Sequence, residues 1–109
     1  MAPVSSIIQI KKRSGEIVSF STEKIYNAIQ KAFVSVHGSV AEVQLSEITE
    51  LVVKYLEDKF EDRTPGVEDV QNMVENVLME KGLFDVTKTY IIYRYEHSKV
   101  REEKKIEVL

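Results

Sequence analysis

The sequence contains no cysteine, and this absence excludes several kinds of chemistry. A chain without thiols has no disulfide framework, no thiolate metal site and no cysteine nucleophile. Its two histidines, His37 and His97, stand far apart in the sequence, so we do not expect a histidine metal site or a histidine-based triad. The four glycines are scattered along the chain, which excludes a glycine-rich loop that cradles phosphates.

Long apolar segments are also missing from the chain. No run approaches the roughly 18 apolar residues of a membrane-spanning helix. Residues 1–6 lack the basic and apolar regions of a secretory signal. With 43% apolar and 30% charged residues, the 109-residue chain has the composition of one compact domain. We therefore expect a cytoplasmic protein without membrane contact, a domain spanning 1–109, a core over about 7–101 and a charged tail over 102–109.

The charges are unevenly distributed. Residues 1–38 contain five basic and two acidic side chains, whereas the remaining residues carry a clear acidic excess. A basic face large enough for a nucleic-acid duplex is not apparent, so we do not expect direct nucleic-acid binding. The small cationic region near the N-terminus is better suited to a compact anion.

The pattern of residues 7–20 predicts a β-hairpin. Residues 7–12 and 17–20 are rich in β-branched and apolar side chains, and Ser14-Gly15 between them is suited to a tight turn. Residues 60–64 could add a short third strand. An isolated hairpin is marginally stable in water, so this one must pack on another element.

Apolar spacing predicts four amphipathic helices after the hairpin. The first begins at Ser21 or Thr22 and ends at Gly38, and the second begins at Ser46. The third follows the breaker at residues 63–66 and ends near Gly82, and the fourth runs over about 85–103. We predict an α+β fold in which a sheet of two or three strands caps a four-helix bundle.

Cationic and apolar side chains cluster around the hairpin and the start of the first helix. Lys12 and Arg13 lie beside the turn, and Lys24 lies in the first turn of the helix, where the unpaired amides already attract anions. The apolar residues in this segment are Ile10, Val18, Phe20 and Ile25. An apolar wall beside convergent cations suits a nucleotide, which needs a dry slot for its base and charge for its phosphates. A solvated turn is the other interpretation of the same residues.

Three segments, taken in order, resemble the ATP-cone family. The first contains Ile10-x-Lys12-Arg13-x-Gly15-x-x-Val18-x-Phe20, followed by Lys24-Ile25 and Ala28-Ile29. The second is residues 64–71 (TPGVEDVQ) and the third is residues 86–94 (VTKTYIIYR). Together they extend the resemblance over about residues 7–101.

The resemblance implies a function as well as a fold. ATP cones are regulatory domains that bind ATP or dATP, and we expect Mg²⁺ on the phosphates. The implied role is allosteric control of a ribonucleotide reductase through changes in assembly, with other subunits or copies of the chain as partners and no catalysis by this chain. Two alternatives stay open: the cone of a nucleotide-responsive transcriptional repressor, and a helical protein–protein module without a ligand.

The resemblance also implies roles for particular residues. Lys12 and Arg13 would hold phosphates, with His97, or Arg94 nearby, as a further phosphate contact. Ser21 and Lys24 would form hydrogen bonds with the base or its surroundings. Val67 and Gln71 would close the ribose side. The residues expected to wall the base and sugar are Ile10, Val18, Phe20 and Ile25. Departures from the family pattern at Ser14, Val18, Ser21 and Gln71 leave the choice between ATP and dATP open.

Overall fold

A computed structural model describes residues 5–7 and 9–108, with side chains described as far as residue 97. The elements in chain order are β1 (Gln9–Lys11), β2 (Ile17–Ser19), α1 (Thr22–His37), α2 (Glu42–Lys59), α3 (Val67–Glu80) and α4 (Phe84–Val108). The fold is therefore α+β, with a small sheet and four helices, as predicted from the sequence.

The two strands form the expected antiparallel hairpin, with Ile10 opposite Val18. Its turn is closed by a hydrogen bond from the Gly15 amide to the Lys12 carbonyl at 2.9 Å, and Gly15 adopts a φ of 91°. This left-handed conformation is one that glycine adopts at little cost.

The predicted third strand over 60–64 is wrong, because these residues form a turn and a bend after α2. The ring of Phe60 is buried at 8% exposure, which draws this segment into the core instead of along the strand edge. Gly66, further along the chain, contacts the edge of β1 instead, where it forms a single parallel bridge with Lys11.

The ends of the helices follow local chemistry. The Ser21 hydroxyl caps α1 by accepting a hydrogen bond from the Lys24 amide at 3.3 Å, as the sequence predicts. Helix α2 begins at Glu42, so the predicted start at Ser46 is wrong. The additional turn buries Leu45, which is 1% exposed, and places the carboxylate of Glu42 in the first turn, where the helix dipole favours it.

The end of α4 also differs from the expectation. The helix continues to Val108 instead of ending near residue 103. Its last residues are mainly glutamate and lysine, which have high helix propensity, and this composition accounts for the extension. The side chains of the charged tail lie outside the described residues.

Each helix packs against two others, so the bundle closes on itself. Helix α1 contacts α2 and α4, and α3 contacts the same two helices. The centre of the core contains Ile29, Val52, Leu56, Val77, Leu78 and Val86, all with 0% exposure. Within the described part of the chain, none of the helices combines the length and apolar character needed to cross a membrane.

Candidate functional site

A cleft lies between the hairpin and the helices α1, α3 and α4, and it consists of two adjoining cavities. The first, here called the apolar compartment, has a volume of about 240 Å³. The second, the cationic compartment, has a volume of about 440 Å³. They share four lining residues: Lys24, Ala28, Gln71 and Tyr90. Every site position predicted from the sequence lines one or both compartments.

The apolar compartment is walled by the residues expected to enclose a base. These residues are Ile10, Val18, Phe20, Ile25 and Val67. Ile10 and Val18 are paired across the hairpin, so their side chains emerge on the same face. Lys12, directly after β1, lines the same cavity, and its amide is hydrogen-bonded across the hairpin to the Glu16 carbonyl at 2.8 Å.

The cationic compartment collects basic side chains from three elements. Arg13 comes from the hairpin turn, Lys24 and Lys31 from α1, and Arg94 and His97 from α4. Lys24 and Lys31 are seven residues apart, two helical turns, and therefore lie on one face of α1. Such a concentration of donors in a concave space favours a polyanion.

Lys12 and Arg13 do not meet in one cavity. Lys12 lines the apolar compartment, whereas Arg13 lines the cationic one. Arg13 Nη2 also lies 3.4 Å from a carboxylate oxygen of Glu68 in the first turn of α3. The two neighbouring cations, which follow β1 at the hairpin turn, thus line different compartments.

Gln71 lies where the two compartments join, and its side chain has an unmet hydrogen-bonding need. The Oε1 atom is buried, and no described residue donates a hydrogen bond to it. A buried acceptor without a donor costs free energy, so such atoms call for an explanation, for example a partner from a ligand. An amino group of a base or a ribose hydroxyl would supply the missing donor.

Two predicted residues have additional contacts that bear on their roles. The Ser21 hydroxyl lines the apolar compartment while it serves as the cap of α1, so its acceptor capacity is already partly used. The His97 ring lies 4.2 Å from the Tyr93 ring, measured between centroids, and this packing holds it at the edge of the cationic compartment.

Sequence reasoning missed several lining residues and treated Arg94 only as an alternative to His97. Lys31, Asn27 and Tyr90 were not predicted, although the first two follow Lys24 at helical spacing. Tyr90 is 5% exposed, and burial raises the pKa of its hydroxyl above the usual range, so the phenol stays protonated.

The chemistry of the cleft bears on how Mg²⁺ would bind. Among the residues whose placement is described, no three histidine or acidic side chains are grouped so as to hold a metal ion. Mg²⁺ commonly binds through substrate phosphates while it keeps several waters. The cleft is therefore compatible with a magnesium ion that enters on a phosphate chain.

A third cavity, of about 370 Å³, lies apart from the cleft, at the end of α2. Its lining includes Ser6, Glu57, Glu61, Asp62 and Arg63, and none of the predicted site residues. Glu57 accepts hydrogen bonds there from the Ser6 amide at 2.6 Å and the Ser6 hydroxyl at 2.7 Å. Residues 5–7, here called the N-terminal segment, are attached to α2 at this cavity.

Comparisons with known proteins identify relatives of this chain. The chain is 36% identical over 106 residues to the ribonucleoside-diphosphate reductase subunit alpha of Chlamydia pneumoniae, a match that covers 92% of this chain and 10% of that protein. It is 39% identical over 106 residues to the vitamin B12-dependent ribonucleoside-diphosphate reductase of Thermoplasma acidophilum, covering 92% of this chain and 13% of that protein. The chain thus spans about a tenth of the length of these relatives.

A family model also matches most of the chain. The ATP cone domain model matches residues 8–99, which include both strands, α1 to α3 and most of α4. All of the residues that line the two compartments fall within this range. The chain belongs to the ATP cone domain family.

Proposed function

We propose that this chain is a regulatory module that binds ATP or dATP in the cleft and controls a ribonucleotide reductase allosterically. The observation that carries the proposal is the division of the cleft into adjoining apolar and cationic compartments. The purine occupies the first, between the hairpin and α1, and the phosphates, with Mg²⁺, extend into the second. Gln71, at the junction, accepts a hydrogen bond from the ribose or the base.

The site residues divide the work according to their chemistry. Ile10, Val18, Phe20, Ile25 and Val67 exclude water around the purine. The cations of the second compartment bind the phosphates, and Lys12, which lines the first compartment with half of its side chain exposed, reaches the phosphates from the hairpin. We assign no catalytic step to the chain. The nucleotide acts by population shift, because it stabilises whichever assembly state it binds more tightly. Other subunits or further copies of this chain are the proposed partners, and the cytoplasm is the proposed location.

The reductase role is favoured over the repressor alternative because the relatives described above are ribonucleoside-diphosphate reductases. The match to one short part of each relative suits an accessory module better than a catalytic core. The remaining alternative, a helical interaction module without a ligand, makes no use of the two compartments and leaves Gln71 Oε1 without a donor.

A nucleotide titration followed by calorimetry and by native mass spectrometry tests the proposal. ATP, dATP, GTP and AMP are titrated into the chain with Mg²⁺, and the mass spectra report the assembly state alongside the affinity. We expect saturable binding of ATP or dATP. At 100 times the Kd, the nucleotide should stabilise the fold by about 2.7 kcal/mol. No binding and no thermal shift with either adenine triphosphate would favour the module without a ligand.

A further inference from the structure

Arg94 of the cationic compartment is held by two side chains of α3. Its Nη1 atom donates hydrogen bonds to Glu75 Oε1 at 2.9 Å and to Asn72 Oδ1 at 2.8 Å. The arginine side chain is only 18% exposed and that of Glu75 24%, so solvent screens this ion pair weakly. Within the part of the chain whose side chains are described, the donors on Nε and Nη2 take no part in these two bonds, so they can bind a ligand.

Arg13, at the other side of the compartment, has a similar counter-charge from the same helix. Its Nη2 atom lies 3.4 Å from Glu68 Oε1. Glu68 and Glu75 are seven residues apart, which is two turns, and therefore lie on one face of α3. Glu68 is more exposed, at 62%, so its charge is screened more strongly than that of Glu75.

These carboxylates change the charge that a nucleotide meets. The cationic compartment contains Arg13, Lys24, Lys31 and Arg94, and two of these four cations are paired with a glutamate of α3. A nucleoside triphosphate carries about four negative charges when free and about two when it binds Mg²⁺, so a nearby carboxylate repels the free form about twice as strongly. The ion pairs thus penalise the free nucleotide more than the magnesium complex.

We infer that Glu75 is a charge-selecting residue, whose carboxylate limits the affinity for the free triphosphate and thereby favours the magnesium complex. This inference rests on the proposed function of the cleft. Glu75 acts through Arg94 and through space, and we do not assign it a contact with the nucleotide. Asn72 provides the matching neutral contact to the same Arg94 nitrogen.

Two variants separate this charge effect from simple positioning of Arg94. Glu75→Gln keeps an oxygen that can accept from Arg94 and removes the negative charge. Asn72→Asp keeps the shape and adds a negative charge at the same nitrogen. Glu50→Gln is the matched control, since Glu50 is exposed on α2, a helix that contributes no described residue to either compartment.

The test is calorimetric titration of ATP into the whole chain, at constant ionic strength, once with a chelator and once with excess Mg²⁺. For Glu75→Gln we expect binding about ninefold tighter without Mg²⁺ and about threefold tighter with it, because the smaller ligand charge halves the electrostatic effect. Asn72→Asp should weaken ATP binding, again more strongly without Mg²⁺ than with it. Glu50→Gln should bind ATP as tightly as the unchanged chain does. Should Glu75→Gln fail to fold, Asn72→Asp carries the test alone.

Three results would overturn the inference. The first is ATP binding by Glu75→Gln that equals that of the unchanged chain, and the second is an effect of equal size with the chelator and with Mg²⁺. The third is weaker ATP binding by Glu75→Gln, which would make Glu75 a structural support for Arg94. An unchanged chain that binds ATP in neither condition would instead refute the proposed function, and the inference with it.

Discussion

The amide nitrogen of Lys11 lies 2.9 Å from the carbonyl oxygen of Pro65, and this hydrogen bond ties the hairpin to the start of α3. Pro65 is fully buried, and Gly66 next to it bridges Lys11 and forms the N-cap of α3. A two-stranded hairpin with strands of three residues is marginally stable alone. Its attachment to α3 therefore sets the width of the cleft, since the hairpin supplies one wall and α3 another.

Charge reversal at Lys12 should abolish nucleotide binding without unfolding the protein. The Lys12 side chain is 53% exposed, and its ion pair with Glu16 is long, at 3.9 Å, so its contribution to stability is small. We expect Lys12→Glu to keep the melting temperature of the nucleotide-free chain and to lose the shift produced by ATP. Lys54→Glu, a reversal at an exposed position of α2, is the control and should keep the shift. An ATP shift that persists in Lys12→Glu would contradict a phosphate role for Lys12.

Replacement of Gln71 should separate stability from binding. Gln71→Met keeps the length of the side chain and removes the buried acceptor that no described residue satisfies. Relief of this unmet hydrogen bond should raise the free energy of unfolding of the nucleotide-free chain by about 1 kcal/mol. ATP affinity should fall, because the ligand loses an acceptor. Denaturant unfolding and calorimetry on the same samples measure both effects, and reduced stability with unchanged affinity would refute the role of Gln71 at the junction.

Filling the apolar compartment should exclude the purine. Ala28 lines both compartments, and a larger side chain there projects into open space. We expect Ala28→Leu to fold with a stability close to that of the unchanged chain, because it fills a cavity instead of overpacking the core. ATP affinity should fall more than tenfold, a loss of about 1.4 kcal/mol or more. Ala41→Leu, at an exposed position before α2, controls for added surface hydrophobicity. Full ATP affinity in Ala28→Leu would place the base elsewhere.

The sequence predicted most of the apolar compartment because hairpin pairing and helical periodicity are local patterns. Ile10 and Val18 are paired across the two strands, and Ile25 lies on the buried stripe of α1. The cationic compartment depends on distances between elements, which local patterns do not encode. The pairing of Arg94 with Glu75 joins α4 to α3, and only the packing of the two helices reveals it.

The predicted third strand failed for a similar reason. Residues 60–64 have some strand character, but the burial of Phe60 against the bundle decides where this segment lies. The start of α2 was misplaced because Ser46 is a favourable cap, whereas the burial of Leu45 outweighs that local preference.

The Ser21 hydroxyl should contribute to stability chiefly as a helix cap. It accepts from the Lys24 amide at 3.3 Å, and loss of such a cap costs about 1 kcal/mol. Ser21→Ala should therefore lower the free energy of unfolding by about that amount, and Ser21→Asn, which restores a capping acceptor, should recover most of it. Thermal unfolding of the nucleotide-free variants measures the effect. If both variants lose ATP affinity while Ser21→Asn keeps its stability, the role of Ser21 is not chiefly that of a cap, and the hydroxyl itself contacts the ligand.

The attachment of the N-terminal segment to α2 should depend on pH through Glu57. The hydrogen bonds from the Ser6 amide and side chain lower the pKa of the Glu57 carboxyl below its ordinary value. A lowered pKa means that the ionised group stabilises the fold above the ordinary pKa of a glutamate, and that this contribution is lost as the pH falls through the lowered value.

Glu57→Gln should thus be less stable than the unchanged chain at pH 7, by up to about 1 kcal/mol, and the difference should vanish in acid. Urea unfolding at several pH values between 7 and 3 measures this difference. Asp58→Asn, at the exposed neighbouring position, is the control and should show no such pH-dependent difference in the free energy of unfolding. If the difference for Glu57→Gln stays constant down to pH 3, the carboxylate charge contributes nothing to the attachment.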